Sequence, residues 1–237
     1  MEWVEVNSPW RGRFACYSHY NSYSQWADAT MKIEFFFDCS SPWTYLAFES
    51  IQPLAAEFGA EIVWRPILVG GIFNAVNPGV EYQKRMATDP QRKVAYYLKD
   101  LRDWARAAAL EIKFPPPGHP VNSVRAMRAC LVLQEQGKLT SWARATFRAY
   151  FGSGLDISSD AVLTTLCNAV DVDADWLLTQ ITRQSVKDAL RANVDEAIAR
   201  GAFGSPTMYL DGDDMYFGVD RLQMLRKAME RKALAVR

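Results

Sequence analysis

The residues best suited to chemistry lie where an apolar run ends and a helix begins. Residues 33–37 predict a buried strand, while Ser41 as N-cap and Pro42 at the first helical position predict a helix start. Free backbone N–H groups and the positive end of the helix dipole favour an anion there, and a thiolate is such an anion. The alternative is that Ser41 and Pro42 only begin a helix.

Other kinds of catalytic site find little support in the residue types. The chain has four cysteines and two histidines, namely Cys16, Cys39, Cys130, Cys167, His19 and His119. The cysteines are far apart and form no Cys-x-x-Cys pair, so neither a disulfide framework nor a zinc site is predicted. The histidines give no basis for a Ser-His-Asp hydrolase, and no phosphate-binding glycine motif occurs. We therefore expect no metal site.

Length and composition favour one large domain, or a small domain that carries an insertion. The chain has 237 residues, of which 49% are hydrophobic and 23% charged. Basic and acidic residues both number 27, so no net charge attracts the protein to nucleic acid. We expect no membrane span, no signal peptide and a cytoplasmic location. Residues 1–30 are predicted to be a poorly ordered extension, because Met31 and Lys32 lead directly into the first strand.

The elements that position Ser41 follow from hydrophobic periodicity and from helix and turn signals. The first helix stops at Gly59 and residues 61–67 predict a second strand, which gives a parallel β-α-β unit. Residues 70–79 predict a turn-rich loop. Helices are predicted near residues 92–110, 122–136, 141–151, 160–170, 174–183 and 185–200. Residues 205–210 and 214–217 predict a hairpin, and a last helix begins near Asp220, with Gln223 completing a capping box.

This order of elements is typical of an α/β thioredoxin-like fold with a large all-helical insertion, the architecture of DsbA. The predicted thioredoxin-like domain comprises residues 31–78 and 202–237, and the helical insertion domain residues 79–201. Residues 41–44 occupy the place where oxidoreductases of this architecture carry Cys-Pro-x-Cys. Residues 204–207 are similar to the loop that carries their cis-proline.

An ordered set of motifs identifies a family. The motifs are Phe37-Asp38-x-x-Ser41-Pro42-x-x-Tyr45-Leu46-Ala47, Asn77-Pro78, Arg92-Lys93, Tyr97-Leu98-Lys99-Asp100-Leu101, Asn122-Ser123-x-Arg125-Ala126-Met127-Arg128, Gly201-x-Phe203-Gly204-x-Pro206-Thr207 and Gly218-Val219-Asp220-Arg221-Leu222. Over about residues 31–232 the chain resembles the 2-hydroxychromene-2-carboxylate isomerases and, more distantly, the kappa-class glutathione transferases. Both families are related to the DsbA-type disulfide oxidoreductases.

The resemblance implies glutathione as cofactor, with its thiolate held near the catalytic Ser41. The thiolate would add transiently to a small aromatic carboxylate, 2-hydroxychromene-2-carboxylate, and elimination would release trans-o-hydroxybenzylidenepyruvate. The implied glutathione contacts are Ser41, Trp43, Asn77, Ser205, Pro206, Val219 and Asp220. The implied substrate contacts are Lys93, Tyr97 and Asn122. If the Ser205–Pro206 bond is cis, the Ser205 backbone should face outward and pair with glutathione. A homodimer is also implied.

Alternative functions remain open at this point. The main alternative is a kappa-like glutathione transferase or peroxidase; the others are a DsbA-like oxidoreductase and a non-catalytic thioredoxin-fold protein. Disulfide exchange is disfavoured, because Thr44 replaces the second cysteine and Cys39 is out of register. Cys39 is either a reactive thiol or a buried residue at the strand end. Three of the implied ligand contacts also have a purely structural alternative. Asn77 could belong only to a turn, Lys93 could be a solvated charge on a helix, and Asp220 could be only a helix cap.

Overall fold

The computed structural model describes residues 30–77 and 91–235, which include a four-stranded mixed sheet. The predicted extension therefore lies almost entirely outside the described residues. The strands are β1 Lys32–Phe37, β2 Glu61–Pro66, β3 Thr207–Leu210 and β4 Asp214–Phe217. Their order is β2-β1-β3-β4, with β2 parallel to β1 and β3 antiparallel to β1 and β4. The predicted β-α-β unit and hairpin are confirmed.

The helices fall into two groups along the chain. Those near the strands are α1 Pro42–Glu57, α2 Val69–Val76, a 3₁₀ turn Val219–Arg221 and the last helix of the chain, α9 Leu222–Ala235. Between α2 and β3 lie α3 Gln91–Ala107, α4 Val124–Gln134, α5 Leu139–Phe147, a π-helix Arg148–Gly152, α6 Asp160–Ala169, α7 Ala174–Gln180 and α8 Gln184–Ala199. No helix of the described residues is long and apolar enough to cross a lipid bilayer.

The second half of strand β1, residues 35–37, is buried on both faces of the sheet, which explains its unbroken apolar run. Because side chains alternate across a strand, Phe35 and Phe37 enter the larger core with α1 while Phe36 packs on the opposite face. That opposite face holds Ile72 of α2 and Val194 of α8. The second half of β1 is thus covered on both sides of the sheet, and its last residue is buried.

Helix α1 begins as predicted, directly after β1. The Ser41 hydroxyl oxygen accepts the backbone N–H of Thr44 at 3.2 Å, and Pro42 occupies the first helical turn. Gly59, with φ of +63°, follows the end of the helix. The short turn between β1 and α1 places Ser41 at the end of the sheet.

Three predicted elements differ from the structure. The sequence predicts a loop over residues 70–79, of which 78 and 79 lie outside the described residues, but α2 covers Val69–Val76. The carboxylate of Asp38, from a distant part of the chain, accepts the first N–H of this helix. The predicted helix over 141–151 ends as an α-helix at Phe147 and continues as a π-helix. The predicted capping box at Asp220 is wrong, since Asp220 lies inside the 3₁₀ turn and its carboxylate does not cap that turn.

Candidate active site

The hydroxyl of Ser41 lies between the start of α1 and the loop that precedes β3. Its oxygen accepts the Thr44 N–H, and its O–H donates to the carbonyl of Ser205 at 3.4 Å. The second hydrogen bond is long for an O–H donor, whose usual range is about 2.5–3.0 Å. A hydroxyl proton also rotates freely about the C–O bond. The Ser41 proton is therefore only weakly engaged and can turn towards an anion at the helix start.

The loop at Ser205 and Pro206 packs against α1, as the sequence predicted. The bond between these two residues is cis, and the Ser205 hydroxyl lies 2.8 Å from the hydroxyl of Thr44. The Ser205 carbonyl accepts the Ser41 O–H, and the pairing of the Ser205 backbone with glutathione stays a prediction. The Ser205 N–H has no hydrogen-bond partner among the described residues. It is one of the backbone donors that this loop can offer to a ligand.

The 3₁₀ turn with Val219 and Asp220 is joined to the same loop. The N–H of Gly218 donates to the carbonyl of Pro206 at 3.1 Å, and the turn packs against α1. Val219 is buried, whereas the side chain of Asp220 is 52% exposed and its carboxylate lies 3.3 Å from Arg221. The structure thus brings together three of the segments predicted for glutathione, and it leaves a carboxylate accessible beside them.

The aromatic residues predicted near the site also meet. Trp43, in the first turn of α1, contacts Tyr97 of α3 edge to face, with ring centroids 5.5 Å apart. Lys93 lies one helical turn before Tyr97 and is exposed. Trp43 follows Ser41 by two residues, so its ring contact places Tyr97 near the start of α1. Lys93 lies on the same face of α3 as Tyr97.

Asn77 and Asn122 have local roles at helix ends. The side-chain amide and the backbone N–H of Asn77 both donate to the carbonyl of Phe73, at 2.9 and 3.0 Å, and close α2. The side-chain oxygen of Asn122 accepts the N–H of Val124 at 3.1 Å, just before α4. Within the described residues no hydrogen bond joins either side chain to the Ser41 segment. Their predicted ligand contacts stay predictions.

Sequence reasoning did not assign a role to Asp38, which is almost completely buried three residues before Ser41. Its carboxylate accepts the N–H of Ser40 at 2.9 Å and the N–H of Val69 at 2.8 Å, and it is also hydrogen-bonded to the hydroxyl of Ser123. Burial raises the pKa of this carboxyl, although the donors oppose the shift. Asp38 thus fixes the turn before Ser41 to the starts of α2 and α4. An acidic residue directly after an apolar strand was the available signal.

Cys39 is a buried residue at the end of β1 and not a reactive thiol. It has no exposed surface, its N–H contacts the sulfur of Met127, and its thiol is hydrogen-bonded to that of Cys130. Burial holds the pKa of Cys39 well above its usual range, and Cys130 raises it further. No group of three or more His, Cys, Asp or Glu side chains in the described ranges could hold a metal ion.

The fold and the site together define a thioredoxin-like protein in which Ser41 and Thr44, and no cysteine, lie at the start of α1. Residues 32–230 match the family model of the DSBA-like thioredoxin domain, which is most of the chain, and the chain belongs to that family. The fold class and family predicted from the motifs are confirmed.

Two groups of relatives match nearly the whole chain. It is 27% identical to a 2-hydroxychromene-2-carboxylate isomerase of Pseudomonas putida, over 85% of this chain and 95% of the relative. It is also 27% identical to glutathione S-transferase kappa 2 of Caenorhabditis elegans, over 80% of this chain and 88% of the relative. A solved structure of a 2-hydroxychromene-2-carboxylate isomerase superposes with a TM-score of 0.75 at 25% identity, covering 85% of this chain and 96% of the other.

Proposed function

We propose that the protein is a glutathione-dependent isomerase that converts 2-hydroxychromene-2-carboxylate, or a related aromatic catabolite, to the trans-o-hydroxybenzylidenepyruvate type of product. The observation that carries the proposal is the position of the Ser41 hydroxyl, at the start of α1 and against the Ser205 loop, with Thr44 in place of a second cysteine. This arrangement suits stabilisation of a thiolate that belongs to a ligand, because the protein has no redox cysteine of its own there.

The residues around Ser41 fit a bound glutathione. The unpaired N–H of Ser205 can donate to the cysteinyl backbone of the peptide, in the manner of an added strand. The N–H groups at the 3₁₀ turn can bind the γ-glutamyl carboxylate, and the accessible carboxylate of Asp220 can pair with the ammonium group. Asn77 and Trp43 are the further contacts that we assign to the peptide.

Bound glutathione would supply a thiolate for transient covalent addition to the substrate, which leaves the overall reaction without a redox change. Ser41 has to favour that thiolate, since a free thiol with a pKa of about 8.5 is mostly protonated near neutral pH. The weakly engaged hydroxyl proton of Ser41 can donate to it, and the dipole of α1 acts in the same direction. The N–H of Thr44 donates to the Ser41 hydroxyl oxygen, and the hydroxyls of Thr44 and Ser205 are hydrogen-bonded to each other.

The substrate would lie against Trp43 and Tyr97, whose rings contact each other beside the start of α1. A planar aromatic compound can stack on or meet the edges of such rings. Lys93, one turn along the same helix face, has the charge needed for a carboxylate, and Asn122 lies just before α4.

A kappa-like glutathione transferase or peroxidase is the alternative function. The match to glutathione S-transferase kappa 2 covers 88% of that relative, and a thiolate at Ser41 would serve conjugation as well as isomerisation. Conjugation leaves a stable thioether, whereas isomerisation returns free glutathione. The products therefore separate the two functions.

Purified protein incubated with 2-hydroxychromene-2-carboxylate provides the test. We expect absorbance changes of isomerisation only when glutathione is added, with the glutathione recovered unchanged. Ser159→Ala is the matched control for Ser41→Ala, because Ser159 also precedes a helix but its side chain makes no capping hydrogen bond. Isomerisation without glutathione, or consumption of glutathione in proportion to product, would contradict the proposal.

A further inference from the structure

The aromatic contacts that begin at Trp43 continue past Tyr97 into the segment between α3 and α4. Phe114 in this segment lies 5.9 Å from Tyr97, and His119 lies 4.7 Å from Phe114, both measured between ring centroids. All four side chains are partly exposed. We call Trp43, Tyr97, Phe114 and His119 the aromatic wall. It leads from the first turn of α1, beside Ser41, to a polar ring at its far end.

The ring of His119 is held from behind by a buried residue. Its Nδ1 lies 2.8 Å from the hydroxyl of Tyr150, which is fully buried in the π-helix and packs on Phe151. Short π-helical segments are frequent at functional sites, because they displace side chains from the positions of a regular helix. The other nitrogen, Nε2, has no hydrogen-bond partner among the described residues. The orientation of the imidazole is thus fixed while one nitrogen is available to a ligand.

Partial burial lowers the pKa of His119 below its usual value, which favours the neutral imidazole near pH 7. Whether Nε2 is a donor or an acceptor depends on the direction of the hydrogen bond with Tyr150. An aromatic hydroxyl suits both cases, since it can donate and accept. A carboxylate only accepts and is bound better by a cation.

We propose that His119 is a specificity-determining residue whose Nε2 hydrogen-bonds a hydroxyl group of a planar aromatic ligand lying along the aromatic wall. This inference rests on the proposed function and deepens it, since the ring-opened product of that reaction carries a phenolic hydroxyl. The hydroxyl would be recognised at the end of the wall remote from Ser41.

The test uses trans-2-hydroxycinnamate and trans-cinnamate, two stable aromatic carboxylates that differ only in one ring hydroxyl. Their affinities for the glutathione-saturated protein are measured by calorimetric titration. For the wild type we expect the hydroxylated compound to bind about tenfold more tightly, the effect of one good hydrogen bond.

Two variants separate the nitrogens of His119. His119→Asn keeps a polar group near the position of Nδ1, next to Tyr150, but removes the Nε2 end, so the preference for the hydroxyl should fall to less than twofold. His119→Gln reaches the position of Nε2 and should retain most of the preference. Melting temperatures of both variants are compared with that of the wild type. If His119→Asn does not fold, His119→Phe takes its place, because it keeps a ring beside Phe114 but also removes Nε2, and its preference should likewise fall to less than twofold.

The inference is overturned if the wild type binds neither compound, binds both equally, or keeps its preference in folded His119→Asn. Turnover of hydroxychromene carboxylate is measured on the same preparations. A preference that depends on His119, without turnover, would remove the proposed isomerase function and support the hydroxyl contact. Turnover without such a preference would support the isomerase and remove the hydroxyl contact.

Discussion

The Ser41 hydroxyl caps α1 and, in the proposed mechanism, stabilises the glutathione thiolate. Ser41→Ala removes a helix cap worth about 1 kcal/mol, so the protein should still fold. In the proposed mechanism it also removes the hydrogen bond to the glutathione thiolate, worth about 1.5–3 kcal/mol, so kcat/KM should fall about ten- to hundredfold. Ser41→Cys should keep part of the activity as a weaker donor.

The pH profile distinguishes loss of a thiolate partner from general damage. In Ser41→Ala the thiol should ionise at higher pH, so the deficit in kcat/KM should shrink as the pH rises towards about 9. Steady-state rates across the pH range measure this. A deficit that stays constant with pH would mean that Ser41 does not act on the thiolate.

Asp38 is the buried carboxylate for which a pH-dependent stability is expected. Because its pKa is raised in the folded state, its contribution to stability is full below the unfolded value of about 3.9 and is lost as the pH rises through the folded value. Asp38→Asn removes this dependence but leaves a donor facing a donor at Ser40 or Val69, which should cost about 1–3 kcal/mol.

Urea unfolding at about pH 4 and about pH 7 measures the effect at Asp38. The stability difference between wild type and Asp38→Asn should be larger at the lower pH and should decrease towards neutrality. A difference that grows with pH would show that the donors lower the pKa of this carboxyl more than burial raises it.

Asp220 tests the predicted contact with the γ-glutamyl ammonium group. Since its carboxylate does not cap the 3₁₀ turn, Asp220→Asn should leave the melting temperature unchanged. Glutathione affinity should fall about tenfold, at the low end for a charged hydrogen bond because the side chain is half exposed. Calorimetric titration measures it, and an equal affinity in both proteins would remove Asp220 from the glutathione site.

At the scale of elements, β1 and α1 could be predicted because their signals are local. The apolar run ends, the N-cap and proline follow, and every residue needed is within a few positions. Helix α2 could not be predicted in this way, since Asp38, 31 residues earlier in the chain, accepts its first N–H. Its glycines and asparagines are typical of a loop, and tertiary contacts outweigh that preference.

The candidate site also contains residues that local motifs predict and residues whose contacts depend on distant parts of the chain. Ser41, Ser205 and Asp220 could be located from motifs that occur in a fixed order. The contacts of His119 could not, because they depend on the fold of the segment between α3 and α4 and on a π-helical distortion. A regular helical pattern through Tyr150 gives no indication that its hydroxyl faces a histidine.

Gly218 controls the shape of the turn that carries Asp220. Its φ of +93° and ψ of 158° are accessible almost only to glycine, and a Cβ there would lie 2.7 Å from a carboxylate oxygen of Asp220. Gly218→Ala should therefore cost of the order of 1–3 kcal/mol of stability and should displace the Asp220 carboxylate.

Gly201→Ala is the matched control for Gly218→Ala. Gly201 has a similar φ of +88°, but a Cβ there meets nothing within 4 Å. Both variants should lose stability in thermal unfolding, and only Gly218→Ala should also lose glutathione affinity. Equal affinities in the two variants would show that the turn does not contribute to the glutathione site.

At the scale of the molecule, one hydrophobic core joins the sheet to the helices between α2 and β3. Tyr45 of α1 stacks on Phe147 of α5 at 4.8 Å, and Arg144 of α5 pairs with Glu49 of α1 at 2.8 Å. The two groups of helices share this packing. We therefore expect one cooperative unfolding transition in urea, with coincident midpoints by tryptophan fluorescence and far-ultraviolet circular dichroism. Separate midpoints would show that the helices between α2 and β3 unfold independently.

The buried cysteines can be used to measure local opening of the structure. Cys39 at the end of β1, Cys130 in α4 and Cys167 in α6 have no exposed surface, and burial raises the pKa of Cys39 and Cys167. A thiol reagent can reach them only when the surrounding structure opens, so the modification rate at each cysteine, identified by mass spectrometry, reports the opening free energy at that place. The modification rates at three positions in the core can be measured in a single experiment without introducing further cysteines, with and without glutathione analogues that lack a thiol.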